Sequence, residues 1–106
     1  MTDVVISYTT INTEKDARKL AAQLVEEKLA ACVNIIPAIH SIYAWKGKMQ
    51  NDEEALLVVK SRAELFEQLV PAVKAVHPYE VPEIIALPLI LGSQDYLDWI
   101  TTETQT

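Results

Sequence analysis

Cys32, His40 and His77 carry, apart from the two methionines, the soft donor atoms of the sequence that transition metals prefer. No two of them have a tight chelating spacing such as His-x-x-x-His, and a single cysteine rules out any Cys-x-x-Cys pair. Local sequence therefore builds no metal site. A ligand role for any of the three requires partners from elsewhere in the fold or from another subunit.

Each of these residues also has a structural interpretation. His77 stands at the end of a predicted helix, where the helix dipole favours an imidazolium. Cys32 begins an apolar strand, a position typical of a small buried hydrophobic residue. His40 precedes a predicted hairpin, and we expect it to face solvent.

A second group of residues combines aromatic rings with carboxylates. Tyr43, Trp45 and Glu54 lie on the two arms of the hairpin, while Tyr79, Glu80 and Glu83 closely follow His77. Together they can line a crevice that holds a ligand. The alternative is that Tyr43 and Trp45 pack in a subunit interface, where aromatic residues are enriched. Lys60 either pairs with one of these carboxylates or faces solvent.

The sequence contains no recognisable catalytic motif. Its serines have no histidine at a motif spacing, and its two separated glycines cannot form a glycine-rich phosphate loop. We therefore expect no enzymatic activity.

Length and composition indicate one domain over residues 1–106. Half of the residues are hydrophobic and 23% are charged, as in ordinary globular proteins. The formal charge of -6 repels phosphate backbones and anionic membrane surfaces, so we expect no nucleic-acid partner. No apolar run is long enough for a signal peptide or a membrane span, so we expect no membrane partner. A single cysteine fits the reducing cytoplasm.

In the first half of the chain, two strand patterns flank a helix pattern. A β-branched run over 4–8 predicts a strand followed by a turn, and apolar spacing after the N-cap Thr13 predicts a helix over 14–29. A second strand begins near Ala31. Pro37 places it at a sheet edge or a bulge, and Gly47 supplies the turn into a third strand, which gives a long hairpin.

The second half of the chain repeats the alternation. Ser61-Arg62-Ala63-Glu64 has the pattern of a capping box before a helix over 65–76, which Pro71 should kink. His77-Pro78 ends that helix, and 84–91 predicts an apolar strand in which Pro88 again indicates an edge. Ser93 caps a short last helix.

The element order β-α-β-β-α-β-α predicts an α+β, ferredoxin-like sandwich with a long β2-β3 hairpin and an extra C-terminal helix. The third and fourth strands are apolar at both odd and even positions, which point to opposite faces of the sheet. Both faces of the sheet should therefore be buried. We expect another subunit to cover the face that the two crossover helices leave open. The alternative is that the last helix folds back over it.

Three longer motifs carry a resemblance to a known family: KLAACVN at 28–34, SIYAWKGK at 41–48 and HPYEVPEI at 77–84. With Glu54, Lys60 and the closing Tyr96-Leu97-x-Trp99, they resemble the CutA family of divalent-cation tolerance proteins over nearly the whole chain. The resemblance implies a homotrimer of ferredoxin-like subunits, similar in build to the PII signalling proteins. It also implies intersubunit sheet pairing through the long hairpin.

The resemblance also implies roles for individual residues. His77 becomes the best candidate metal ligand, with Glu80 or Glu83 as neighbours and Cys32 as a further candidate. Thr9 and Val76 occupy positions where some bacterial members have a cysteine and a histidine, so part of that ligand set is missing here. The intersubunit clefts would be lined by the recurring residues Tyr43, Trp45, Glu54, Lys60, Tyr79 and Glu83.

By resemblance, the expected function is divalent-cation tolerance, with binding of copper(II) or another divalent metal ion and a contribution to heavy-metal resistance. The alternative is a PII-like trimeric sensor or scaffold that binds a small metabolite or a protein partner in its clefts. No cofactor other than such a metal ion is expected.

Overall fold

A four-stranded antiparallel sheet organises the chain. A computed structural model describes residues 2–105. A short 3-10 turn, Ala63–Leu65, precedes the second helix. The predicted element order and the ferredoxin-like α+β fold are confirmed. The elements are β1 (Val4–Ile11), α1 (Glu14–Glu26), β2 (Cys32–Trp45), β3 (Lys48–Arg62), α2 (Phe66–Lys74), β4 (Ile85–Pro88) and α3 (Gln94–Glu103). Within the sheet, the strands lie in the order β2-β3-β1-β4.

The main core lies between one face of the sheet and helices α1 and α2. Alternate residues of β3, Ala55, Leu57 and Val59, are buried there, because side chains along a strand alternate between the two faces. Leu20 and Leu24 of α1 pack against them, as the apolar spacing of that helix predicts. None of the helices within residues 2–105 is long and apolar enough to cross a membrane.

Helix α1 begins where predicted and ends earlier than predicted. The Thr13 hydroxyl accepts a hydrogen bond of 3.1 Å from the Asp16 N–H, which confirms the N-cap. At the other end, Lys28 adopts a left-handed φ of 61°, and the N–H of Leu29 reaches back to the carbonyl of Leu24. This Schellman-type closure turns the chain toward β2 and stops the helix at Glu26 instead of residue 29.

The predicted capping box at Ser61 is wrong. Ser61 lies inside β3, paired with Val5 of β1, and its buried hydroxyl donates a 2.6 Å hydrogen bond to the carbonyl of Leu29. Helix α2 begins only at Phe66 and has no side-chain cap. The ladder with β1 extends through Arg62, so sheet pairing outweighs the local capping pattern. The helix continues through Pro71 to Lys74.

Strands β1 and β4 also differ from their predicted lengths. β1 continues past Tyr8 to Ile11, because Thr9 and Thr10 pair with Leu57 and Leu56 of β3. β4 is only four residues long and pairs with β1 alone, so Pro88 lies on an edge strand as predicted. Ser93 occupies the N-cap position of α3, but its side chain makes no capping hydrogen bond.

The second face of the sheet is covered only at one end. Helix α3 packs there through Leu97 and Ile100 against Val4 and Ala31. Beyond it, apolar side chains of β2 and β4 stay exposed, including Ile36 and Ile85. The last helix of the same chain therefore covers part of this face and leaves the rest open. Cover by another subunit stays a prediction.

Candidate functional site

A cavity of about 600 Å³ opens beside the long hairpin. Its walls come from the hairpin strands, from Thr10 near the end of β1, and from the segment 79–83 between α2 and β4. Six residues that the sequence analysis singled out line this cavity together: Tyr43, Trp45, Glu54, Tyr79, Glu80 and Glu83. The structure thus brings the two halves of the predicted aromatic and carboxylate group to one place.

A β-bulge in β2 puts the hairpin aromatics on the same face as Glu54. Ile36 pairs with Leu56 and Ile39 pairs with Glu54, so Pro37 and Ala38 together oppose a single residue of β3. The extra residue shifts the alternation of β2 by one position. Tyr43 and Trp45 therefore share a face with Glu54, whereas an unbroken strand would point them to the opposite side.

A two-residue turn closes the hairpin next to the cavity. Lys46 and Gly47 have φ values of 51° and 80°, and the flanking residues Trp45 and Lys48 pair directly. Positive φ at both positions is the pattern of a type I′ turn. The turn places Lys46 Nζ 5.7 Å from the centre of the Trp45 ring and 3.6 Å from a carboxylate oxygen of Glu80.

Four residues form a hydrogen-bonded chain next to the cavity, and three of them line it, whereas His77 does not. His77 Nε2 lies 2.6 Å from the carbonyl oxygen of Thr10, which can only accept, so Nε2 carries the proton. The other ring nitrogen, Nδ1, then accepts from the Tyr79 N–H at 3.2 Å. The Tyr79 hydroxyl in turn donates to Oε2 of Glu54 at 2.8 Å. Both nitrogens of His77 are thus occupied within the chain.

The carboxylates raise the pKa of two tyrosines of the site. Burial, followed by the hydrogen bond to Glu54 and the charge of that residue, raises the pKa of Tyr79 well above its ordinary value. The hydrogen bond to Asp52 is the main cause that raises the pKa of Tyr43, which lies at the surface. Both phenols therefore act as protonated hydrogen-bond donors near neutral pH.

Glu54 is the most deeply buried acidic group of the site. It is only 5% exposed, and among residues 2–105 its carboxylate has Tyr79 as its one hydrogen-bond donor. No ion pair within the described part of the chain reaches it, since the three ion pairs found there involve Glu14, Glu64 and Glu80. The cavity therefore contains a buried carboxylate without a neighbouring positive charge.

The structure does not bring the remaining predicted site residues to the cavity. Cys32 pairs with Lys60 of β3. Thr10, which binds His77, pairs with Leu56 of the same strand. Cys32 therefore lies four residues, or about 13 Å, along the sheet from the partner of His77. Lys60 places its Nζ 5.7 Å from the Tyr96 ring under α3. His40 is exposed on β2 as expected. Within residues 2–105, no three His, Cys, Asp or Glu side chains gather as a metal site.

Sequence reasoning missed Asp52 and Thr10. Asp52 accepts the hydrogen bond of Tyr43. The two-residue turn could have identified it, because counting back from Lys46-Gly47 sets Tyr43 opposite Gln50 and Ser41 opposite Asp52. Tyr43 and Asp52 are therefore diagonal neighbours on the same face of the hairpin. Thr10 contributes its backbone carbonyl, which any residue would supply, so no sequence signal could have identified it.

Comparison with known proteins adds a family match to this geometry. Residues 5–103 match the family model described as "CutA1 divalent ion tolerance protein". The chain is 52% identical over 95 residues to the divalent-cation tolerance protein CutA of Thermus thermophilus, covering 90% of this chain and 92% of that protein. It is 48% identical over 101 residues to the chloroplastic protein CutA of Arabidopsis thaliana, covering 95% of this chain.

A solved structure shows the same architecture. The divalent cation tolerance protein of Thermus thermophilus superimposes with a TM-score of 0.89 at 49% identity, covering 92% of this chain and 94% of that one. The relatives differ in length, and the chain spans only 56% of the Arabidopsis protein.

Proposed function

Because the chain belongs to the CutA1 divalent ion tolerance family, we propose that it binds divalent metal ions, copper(II) among them, and thereby contributes to heavy-metal resistance. The observation that carries the proposal is the position of Glu80 and Glu83 on one cavity wall, next to Tyr79, which contacts His77. Imidazole nitrogen and carboxylate oxygen are both ligands of divalent ions, and imidazole suits copper.

A single chain supplies an incomplete ligand set, so the proposal includes an assembly. We place the metal ion in a cleft of a homotrimer, where a neighbouring subunit adds the missing donors. The support comes from exposed apolar residues on the hairpin and the open sheet face. Ile42 and Met49 are 69% and 77% exposed, and Leu87 of the edge strand β4 is exposed as well. Apolar surface of this extent favours association.

The mass in solution tests the assembly. A trimer has about three times the chain mass of 11.9 kDa, and light scattering at micromolar concentration measures it directly. Replacing Met49 by Glu puts a charge on the exposed hairpin surface and should lower the mass. Lys48→Glu, at a neighbouring exposed position, controls for the added charge. A monomer for the native chain would contradict the assembly.

Metal binding at His77 requires a local rearrangement. Nε2 donates to Thr10, and the lone pair of Nδ1 is engaged by the Tyr79 N–H. An incoming metal ion must therefore displace the Tyr79 N–H from Nδ1, which costs one hydrogen bond. This cost predicts an affinity below that of a preformed site and a shift of the segment that carries Tyr79.

Calorimetric titration with copper(II), zinc(II) and calcium(II) tests the metal proposal. We expect saturable copper binding, at least tenfold weaker in His77→Ala. His40→Ala is the matched control, because it removes an exposed imidazole outside the cavity and should leave binding unchanged.

Two results would contradict direct binding at this site: no saturable uptake by the native chain, or equal affinities in the native chain and in His77→Ala. Circular dichroism of each variant shows whether the fold is retained. Growth of a strain carrying His77→Ala on elevated copper tests the contribution to resistance.

The proposal describes binding and involves no catalytic step. A cytoplasmic location is likewise a proposal, based on the single cysteine. The Arabidopsis relative is named chloroplastic, so the location of this chain needs a direct test. Cell fractionation with an antibody against the chain tests the location.

A further inference from the structure

The cavity contains a negative charge that the chain leaves unbalanced. Glu54 is only 5% exposed, and its carboxylate receives one hydrogen bond, from the Tyr79 hydroxyl to Oε2. Among residues 2–105, no hydrogen bond reaches Oε1 and no ion pair reaches the carboxylate. Oε1 is therefore free to accept a hydrogen bond from a molecule in the cavity, and a cation there would be attracted by the charge of the carboxylate. The wall that Glu54 forms therefore favours a positively charged occupant.

Aromatic rings line the same cavity as this carboxylate, and one of them, Tyr79, is bonded to it. Tyr43, Trp45 and Tyr79 line the same cavity, and no lysine or arginine is among its lining residues. The faces of tryptophan and tyrosine rings attract cations, ammonium groups among them. A carboxylate in a cavity with aromatic walls suits an organic cation, whereas a cluster of oxygen ligands suits a metal ion.

The rim of the cavity already holds one alkylammonium group in such a setting. The Nζ of Lys46 lies 5.7 Å from the Trp45 ring centre and 3.6 Å from Glu80 Oε2. Both side chains of this ion pair are about 70% exposed, so it lies at the mouth and leaves Glu54 unpaired. The chain itself thus shows that an ammonium group fits between an indole ring and a carboxylate here.

From these observations we propose that the cavity binds a small organic cation of the alkylammonium class. Its N–H groups donate to Glu54, and its alkyl part extends along the aromatic wall toward Tyr43 and Trp45. A volume of about 600 Å³ is in the range of small-molecule sites and accommodates an alkyl chain besides the charged group. This inference goes beyond the metal proposal and does not depend on it, because it requires Glu54 and the aromatic rings but not His77.

Titration of n-butylammonium chloride into the metal-free protein tests the inference, with the protein in its native oligomeric state. Trp99→Phe leaves Trp45 as the only tryptophan, so its fluorescence reports on the cavity, and phenylalanine preserves the stacking of residue 99 on Tyr96. Sodium chloride keeps the ionic strength constant. For a five-atom ligand we expect saturation with a dissociation constant on the order of a millimolar.

Two comparisons isolate the charge. The neutral analogue 1-butanol should bind at least tenfold more weakly than n-butylammonium. Glu54→Gln should weaken n-butylammonium binding at least tenfold, whereas Glu67→Gln, an exposed carboxylate on α2, should leave it unchanged. If Glu54→Gln does not fold, Trp45→Leu followed by calorimetry replaces it, since Trp45 is partly exposed and its loss removes the aromatic wall.

Three outcomes overturn the inference. Equal affinities for n-butylammonium and 1-butanol indicate an apolar cleft with no charge recognition. Unchanged binding in Glu54→Gln places the cation elsewhere. No saturation by n-butylammonium shows that the cavity does not bind the alkylammonium class. We include EDTA in every n-butylammonium titration, so a failure of copper to bind in the separate metal titration leaves this result unaffected.

Discussion

The hydroxyl group of Tyr79 donates a 2.8 Å hydrogen bond to Oε2 of Glu54, 25 positions earlier in the chain. This bond joins the segment between α2 and β4 to the hairpin strand β3. The same segment is joined to β1 through His77 and the carbonyl of Thr10. Two polar contacts, one from a phenol and one from an imidazole, therefore hold the wall of the cavity in place.

Replacing Tyr79 by Phe should destabilise the fold by about 2 kcal/mol, because it removes the one hydrogen-bond donor that residues 2–105 supply to the carboxylate of Glu54. Tyr43→Phe is the matched control. It removes a hydroxyl that is bonded to the carboxylate of Asp52 at the surface, where water replaces the lost partner. Urea unfolding at equal protein concentrations measures both variants. Equal losses in the two variants would contradict the special role of the buried pair.

Alkaline pH should destabilise the chain through the same residue. Burial and Glu54 raise the pKa of Tyr79 above its ordinary value of 10.0. Above pH 10 the unfolded chain therefore loses a phenol proton that the folded chain retains. The folded state then binds more protons, so the free energy of unfolding falls as the pH rises. Below pH 10 both states keep the proton, and the contribution of Tyr79 is complete.

The comparison of the native chain with Tyr79→Phe isolates this effect. We expect the unfolding free energy of the native chain to fall more steeply between pH 9.5 and 11, in about the range where phenols titrate, than that of the variant. Lysine titration contributes to both proteins alike and cancels in the difference. Parallel pH profiles would show that Tyr79 does not titrate differently in the two states.

The sequence was sufficient for the fold because the decisive signals are long. Helix α1 has a regular apolar face and a functional N-cap at Thr13, and the strand pattern of β3 continues for many residues. Pro37 and Pro88 marked the two edge strands, since proline lacks the N–H that a central strand must donate. Local signals misled where pairing between distant segments decided the outcome, as at Ser61, which belongs to β3.

The site was predictable in its residue types and less so in its connections. Tyr43, Trp45, Glu54 and Tyr79 were identified from the sequence, and they do meet in one cavity. Which face the hairpin aromatics occupy depends on the bulge after Ile36, a long-range register shift that no local pattern specifies. The hydrogen bond of His77 Nε2 likewise depends on a backbone carbonyl of β1, which no side-chain pattern reveals.

The two positions of the supposed capping box provide a direct test of the corrected interpretation. Ser61→Ala should cost about 1–2 kcal/mol, because it leaves the buried carbonyl of Leu29 without its hydroxyl donor. Glu64→Ala should cost less than Ser61→Ala, since the Glu64 side chain is exposed and Arg62 keeps its hydrogen bonds to Thr104 when the ion pair is lost. In a capping box both residues would matter, so similar losses at both positions would restore that interpretation.

The turn that closes the hairpin gives a prediction about backbone conformation alone. Gly47 has a φ of 80°, and a Cβ atom added there would meet nothing within 4 Å, so substitution causes no steric clash with neighbouring groups. Gly47→Ala should therefore cost about 1 kcal/mol, which is the strain of an L-residue in the left-handed region. Gly47→Asn should cost less, because asparagine tolerates this region better than alanine. Urea unfolding of the two variants at equal concentrations gives the order, and an alanine variant as stable as the native chain would contradict the type I′ turn.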